Sequence, residues 1–433
     1  MALVKNLKVG ISVLETTPGG TTGAIDCLIP IRGLPSFDRK AEKALDPAIV
    51  GNRMDVGEYT VAQDVKGSLP VSWRACKGAS RLIRAGLTAS TGYVIAQVGG
   101  CVRIKYSGSA ASCKIMASSS DGKLKAYVGA KGSEAGDTAF GTAGVLSTTA
   151  AANNTIGEIV TVVDAYANYT AKKLFGNSSQ SSTGIIAIAT AQAKNKSVYV
   201  FFKSSGSGAY AHFLPADLSD AELPTFGLQT EGIHTRHRWY GASVAGYNVS
   251  AALKGFAEGD VELLGMTEKS TEPAATTSIL GTEWPMIFSQ GQMDLDGSTW
   301  TFVRNMNLQL ANNPNAEGFG QGSVLRQYHQ KGHFSFAVDA QFRGDTSIDA
   351  YRAKQFDGSE VGFSAFFKGN TIGASVPEGM LWDAPFCAVS NYEPVENGDV
   401  LDSKLTLKAL NPAGTTYQHP VRCVIISNDT GRY

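Results

Sequence analysis

The sequence predicts a mainly β chain of antiparallel sheets packed as sandwiches or barrels, with one strand-and-helix pattern used twice and a small α/β segment inserted in its first half. Three observations carry this. Charged residues are 18% of the 433 and glycines number 48, against roughly 25% charged and ~7% glycine in an average soluble chain, a balance that favours strands and tight turns over long surface helices. In "KGSLPVSW", residues 66 to 73, period-two alternation puts Leu69, Val71 and Trp73 on one face and Ser68, Pro70 and Ser72 on the other. Much later "KGHFSFAV", residues 331 to 338, repeats the design, with Phe334, Phe336 and Val338 sharing a face and His333, Ser335 and Asp339 opposite.

In chain order, the opening "MALVKNLKVGISVLETTPGG" has a short apolar stretch that stops at Glu15. It lacks the apolar region and cleavage site of an export signal, and no run in the chain approaches the ~18 apolar residues of a membrane helix. A chain soluble when made is expected. The charged, proline-bearing "LPSFDRKAEKALDPAIVGNRMD", residues 34 to 55, reads as a loop or arm. After the strand at 66 to 73, Leu82, Ile83 and Leu87 predict a short helix packed on a sheet.

Residues 93 to 197 turn rich in Ala, Ser, Thr, Gly and Asn and read as an insertion. Strand-like "CVRIKYSG" and "GKLKAYVG" precede a helix with a Thr155/Glu158 capping box and a core stripe of Ile156, Ile159, Val163 and Tyr166. Further strands follow. "GYNVSAALKG" alternates Val249, Ala251 and Leu253 with smaller or polar residues. "DLDGSTWTFVRNMNLQL" sets the hairpin dipeptide Asp296-Gly297 before Phe302, Met306, Leu308 and Leu310, interrupted by Arg304. After the second Lys-Gly strand, Thr346 and Asp349 mark a helix start, Ile348 and Tyr351 lie one turn apart, and Asp357-Gly358 supplies the stop. Each helix is followed by a strand containing Phe-Phe-Lys, "VYVFFKSS" and "VGFSAFFKGN". Three echoes in one order predict an internal duplication. "DSKLTLKAL" then alternates Leu405 and Leu407 with Lys404, Thr406 and Lys408.

Chemistry is sparse. Lys plus Arg equals Asp plus Glu, 38 each, so no net charge draws the chain to nucleic acid or an anionic membrane. Six cysteines without C-x-x-C spacing read as buried thiols. The phosphate-loop, nucleophile-elbow, zincin and dinucleotide motifs are absent. His234 and His237 are flanked by Arg236 and Arg238, which repel a cation. His329 and His333, four apart in an expected strand, lie ~13 Å apart, too far for one ion, and are expected at a polar surface. Asp294 and Asp296 suit a hairpin turn better than a calcium loop. No catalytic, cofactor-binding or metal residue is assigned, and no cofactor is implied.

"MDVGEYTVAQDVKGSLPVSWRA", "DGSTWTFVRNMNLQLANN" and "KGHFSFAVDAQF", with the helices after the first and third, resemble the tail tube, or major tail, proteins of long-tailed bacteriophages. The resemblance covers both halves outside residues 93 to 197. It implies two tandem tail-tube-like β-sandwich units, each with a flanking short helix, plus the inserted α/β domain. The expected division is a first unit over 1–92 and 198–275, an exterior insertion over 93–197, and a second unit over 276–433. It further implies a structural protein without a reaction, whose strands join those of neighbouring copies around a channel. Three chains of two units would form pseudo-sixfold rings that stack, surround a tape-measure protein, meet tail-end proteins, and later pass double-stranded DNA without tight binding. Assembly is expected in the host cytoplasm, with no membrane partner. Ser68, Ser72, His333, Ser335 and Asp339 are candidates for the wet face or lumen, and the 34 to 55 arm would order when the next ring docks. The alternatives are a surface-binding β-sandwich protein of the virion, carbohydrate-binding or adhesin-like, and a hydrolase with a dispersed acidic site.

Overall fold

The computed structural model describes residues 7–15, 24–45, 58–88, 93–219, 222–232, 236–269, 284–314, 323, 325–343, 346–373, 375–398, 400–411 and 419–431. The chain begins with β1 (Lys8–Leu14), β2 (Ile25–Ile29), β3 (Ser36–Leu45), β4 (Glu58–Ser72) and helix α1 (Lys77–Gly86). An excursion follows through β5 (Val94–Tyr106), β6 (Ser112–Ser118), β7 (Lys123–Gly129), β8 (Ala135–Gly136), β9 (Val145–Ser147), α2 (Ile156–Asp164), β10 (Tyr169–Gly176), β11 (Ile188–Gln192), β12 (Val198–Lys203) and β13 (Tyr210–Pro215). The chain returns in β14 (Phe226–Glu231), β15 (His237–Ala252), β16 (Glu258–Gly265) and β17 (Thr267–Lys269). The second half is β18 (Gln292–Leu295), β19 (Ser298–Trp300), β20 (Val303–Ala311), β21 (Ser335–Arg343), α3 (Ala350–Asp357), β22 (Val361–Ile372), β23 (Val376–Asn397), β24 (Val400–Ala409) and β25 (Arg422–Ser427).

Two sandwich units share one inner sheet. Its order is β3–β4–β16–β15–β20–β21–β24–β23, antiparallel throughout. Each unit lays an outer sheet over its half: β2–β1–β14–β15–β17 in the first and β19–β18–β22–β23–β25 in the second. β15 and β23 are long enough to cross from outer to inner sheet, and both do so through paired register breaks. β15 shifts against β14 between the partners of Phe226 and Leu228, and against β16 after Val244. β23 shifts against β22 between the partners of Val361 and Phe363, and against β24 after Val389. Eight strands and a helix therefore recur in one order, with the same neighbours and with bulges at matching places in β15 and β23. Each bulge re-aims its strand.

Between the sheets, period-two alternation buries Val65, Leu69 and Val71 of β4, Trp73 just after it, and Phe336, Val338, Ala340 and Phe342 of β21 in one continuous cluster. Burying a residue of this size contributes roughly 2–3 kcal/mol. The Trp73 indole N–H donates to the Asn248 carbonyl at 2.9 Å, which satisfies its polar end. Helix α1 adds Leu82 and Ile83 and packs on β15, β1 and β2, while α3 packs on β23, so the helices flank equivalent strands. Asp296 and Gly297 adopt φ of 49° and 69°, the left-handed pair that a two-residue hairpin needs. Gly358, at φ 71°, stops α3.

The excursion is tied to the second unit. β13 adds to β25, and the first residues of β5 add to β13. The rest of β5 runs on between β10 and β12. β22, β23 and β25 are buried on both faces, with Phe363, Phe367, Met380, Trp382 and Ile425 turned to the main core and Phe366, Leu381, Val424 and Ile426 to a cluster with Val98, Phe175, Tyr199 and Phe201. Arg103 and Asp294 form a buried ion pair across this junction at 2.5 Å, and the Tyr199 hydroxyl donates to Asp294 at 3.0 Å. A second small sheet, β11–β6–β7 with β8 and β9 on β7, shares a core with α2, which packs on β10 and β5. The α2 capping box is present, with Ile156, Ile159 and Val163 buried.

Four expectations change. Residues 36 to 45, read as loop or arm, form edge strand β3; residues 46 to 55 of that stretch lie outside the described ones. Strand pairing aligns Leu69, opposite Val261, with Ala340, opposite Leu405, not with Phe334, so the two Lys-Gly pairs are not equivalents. The Phe-Phe-Lys segments occupy unlike strands: β12 pairs with β5, whereas β22 pairs with β18 and β23. His329 is not in a surface strand. It is buried, with Nε2–H donating to the Gly241 carbonyl at 3.0 Å. His234 and the Thr346 side chain lie outside the described residues.

His329 has a consequence for pH. Burial first, then the charge of Arg326, pushes its pKa down to about 4, and burial does the same to His212. As pH falls below the unfolded value near ~6.5, the unfolded chain takes up protons that the fold refuses until about pH 4, so stability is lost over that window. A His329→Gln chain should recover about 1–2 kcal/mol of this loss at pH 5. Urea midpoints at pH 7 and pH 5 check it, and an unchanged pH slope in the variant would count against the assignment.

Candidate assembly edges and polar face

The face of the inner sheet turned away from the core is polar because alternate positions of every strand are polar. Ser68 and Ser72 lie on it in β4, opposite Glu262 and Glu258 of β16. Ser335 and Asp339 lie on it in β21, opposite Ala311 and Asn307 of β20. Asp339 accepts from the Thr406 hydroxyl at 2.6 Å and the Gln309 amide at 3.4 Å. Asn305 donates to Gln341 at 2.8 Å, and Gln341 donates to Asp402 at 3.0 Å. These cross-strand bonds stiffen the sheet. His333 stands apart from this group, exposed ahead of β21, with its carbonyl accepting from Asn313 at 2.7 Å.

Where the two units meet, at β15 against β20, the polar face is hollowed by a depression of about 450 Å³ lined by Ser68, Asn248, Asp260, Glu262, Gln309 and Ser335. Charges near it are balanced locally. Arg32 pairs with Asp260 at 2.9 Å, Lys66 with Asp64, and Lys404 with Glu393 at 3.2 Å. The face offers hydroxyls, amides, ion pairs and the carboxylates of Glu258 and Glu262, not a basic track.

At its ends the inner sheet is open. Among the described residues β3 pairs only with β4, and β23 beyond Cys387 pairs only with β24. Both edges carry devices that discourage indiscriminate pairing: Asp38, Arg39, Lys40 and Glu42 stand exposed on β3, and Glu393, Pro394 and Glu396 on or beside the open edge of β23. Phe37 reaches inward, edge-on to Trp239 at 4.8 Å between ring centroids, and Tyr392 packs against the same core. Sequence reasoning missed these edges. The signal available was a strand-length charged run bounded by Pro35 and Pro47, which suits an edge strand as well as a loop.

Among the described residues no group of three or more His, Cys, Asp or Glu converges as metal ligands, and no helix is long and apolar enough to cross a membrane. No curated protein matches the sequence. The family model described as phage tail tube protein matches residues 7–400, nearly the whole length, and its span takes in both open edges and the polar face. The chain belongs to the phage tail tube protein family and is a structural component of the virion tail.

Proposed function

We propose that three chains join through their inner-sheet edges into a closed barrel, that the rings stack into a tube, and that the polar face lines a channel through which double-stranded DNA leaves. The observation that carries this reading is the β15–β20 pairing: inside one chain, two units already share a continuous sheet. The eight inner strands alternate in direction, so β3 of one copy can meet β23 of another antiparallel, as β20 meets β15. Closure removes the open edges. At a strand spacing of ~4.8 Å and a tilt of ~40°, three inner sheets give a barrel roughly 45–50 Å across between backbones. Two would give roughly 30 Å, which side chains on both walls fill nearly to the width of a duplex.

In this reading the first tube unit is residues 1–92 with 198–275 less β12 and β13, which pair with β5 and carry the exterior insertion (93–197) on to the second unit, 276–433. Ser68, Ser72, Ser335 and Asp339 face the bore, with His333 at its rim. A neutral bore without a basic track releases few counterions from DNA and lets it slide. Its partners are further copies, a tape-measure protein and tail-end proteins, met in the host cytoplasm during assembly. Negative-stain electron microscopy of the purified chain tests this, with hollow rings or tubes of three chains per ring expected. A chain that stays a single copy at every concentration would refute it.

A further inference from the structure

We infer that the seam between chains repeats the internal β15–β20 seam residue for residue, setting Val395 of β23 opposite Ser36 of β3 in the next copy and Glu393 opposite Asp38. This rests on the ring reading above and adds the register. The matched bulges fix the correspondence. Val244 and Val389 precede the same break, opposite Leu263 and Leu407, so Asn248, Val249 and Ser250 correspond to Glu393, Pro394 and Val395. Glu262 and Thr406 follow as equivalents, and their partners Ser68 and Asp339 match in turn. Ser36 pairs with Ser68 as Asn307 pairs with Asp339, so Ser36, Phe37 and Asp38 correspond to Asn307, Leu308 and Gln309.

Within the chain Ser250 faces Asn307, Val249 faces Leu308 and Asn248 faces Gln309. Carried to the open edges, these become Val395 with Ser36, Pro394 with Phe37 and Glu393 with Asp38. The core side is continuous, since Pro394 covers Phe37 where Val249 covers Leu308, and Arg39 lies over Tyr392, a favourable cation–π pairing. The Leu253 N–H donates to Arg304 O and the Asn312 N–H to Ala245 O, both at 2.8 Å. By alternation, odd-numbered residues of β15 and even-numbered residues of β20 bond across the internal seam. Their counterparts at the open edges include Pro394 and Pro35, which have no N–H. The seam between chains therefore has fewer hydrogen bonds than the one within, as suits a joint made after folding.

Charge separates the two seams further. The internal row across the polar face is Asp260, Asn248, Gln309 and Ala337; between chains the row becomes Lys404, Glu393, Asp38 and Lys66. Two carboxylates meet, each backed by a lysine of its own chain, and like charges directly opposite weaken a pair.

The test uses the full chain, whose six native cysteines are all buried. Val395 and Ser36 form a pair without hydrogen bonds, about 4.5 Å between Cα atoms, inside the range a disulfide spans. On oxidation S36C/V395C should give a covalently closed three-chain species on a non-reducing gel, whereas D38C/V395C, a diagonal at ~7–8 Å, should not. In the native-cysteine background D38N should lower the concentration needed for rings roughly two- to five-fold. Rings that cross-link at least as well through D38C/V395C, or that D38N weakens, overturn the register alone. Failure of the wild-type chain to form rings overturns the ring reading and the register with it.

Discussion

Trp382→Ala is expected to destabilise the folded chain by about 3–5 kcal/mol, the range for removing a fully buried large aromatic side chain. Trp382 is completely enclosed. It stacks on Phe336 of the second unit at 5.8 Å and lies 6.1 Å from the Tyr247 ring of the first, so its loss opens a cavity where the two cores join. Trp382→Phe keeps part of the volume and should lose less than half as much. Phe356, 78% exposed on α3, provides the comparison: Phe356→Ala should shift stability by no more than about 0.5 kcal/mol. Urea midpoints of the three variants decide it. Similar shifts for Trp382→Ala and Phe356→Ala would mean that the junction of the cores carries little of the stability.

Arg103→Met should be nearly as damaging, at about 3–5 kcal/mol, because it leaves the Asp294 carboxylate buried with only neutral partners. These are the Tyr199 hydroxyl at 3.0 Å and the Gln292 amide at 3.2 Å. Removing both charges in R103M/D294M should restore most of the loss, since two desolvated ions attract each other only about as well as water held them apart. A double-mutant cycle on the whole chain measures the coupling. Simple additivity would show that the Arg103–Asp294 pairing adds no coupling to the hold of the inserted segment on the second unit.

The fold was legible where a residue's type reports its own environment. Period two in β4 and β21 marks their buried faces, Thr155 with Glu158 marks the start of α2, and Asp296-Gly297 marks a turn. It was illegible where the determinant is a neighbour. Among the described residues β3 has a strand on one side only, so charge is tolerated along it, and that charge made it look like a loop. His329 has the residue type of a surface position yet is covered by the chain around Gly241. The repeat is also not where similar letters suggest. Its firmest marks are the register breaks at Ala245 and Ser390, whose bulged residues differ in type, while the two Phe-Phe-Lys triplets are unrelated. The polar face could be read from alternation through Ser68, Ser335 and Asp339. The edges could not, because being an edge is a property of what lies beside a strand.

β13 and the start of β5 extend the second outer sheet past β25, while among the described residues β17, its counterpart in the first unit, has no strand beyond it. The molecule is thus nearly twofold-repetitive on its polar side and singular on the opposite side. Anything that grips that opposite side meets one handle per polypeptide, and a substitution there has no twin to mask it. A change on the polar side alters one of two structurally equivalent positions, which carry unlike residues, Ser68 against Asp339 and Glu262 against Thr406.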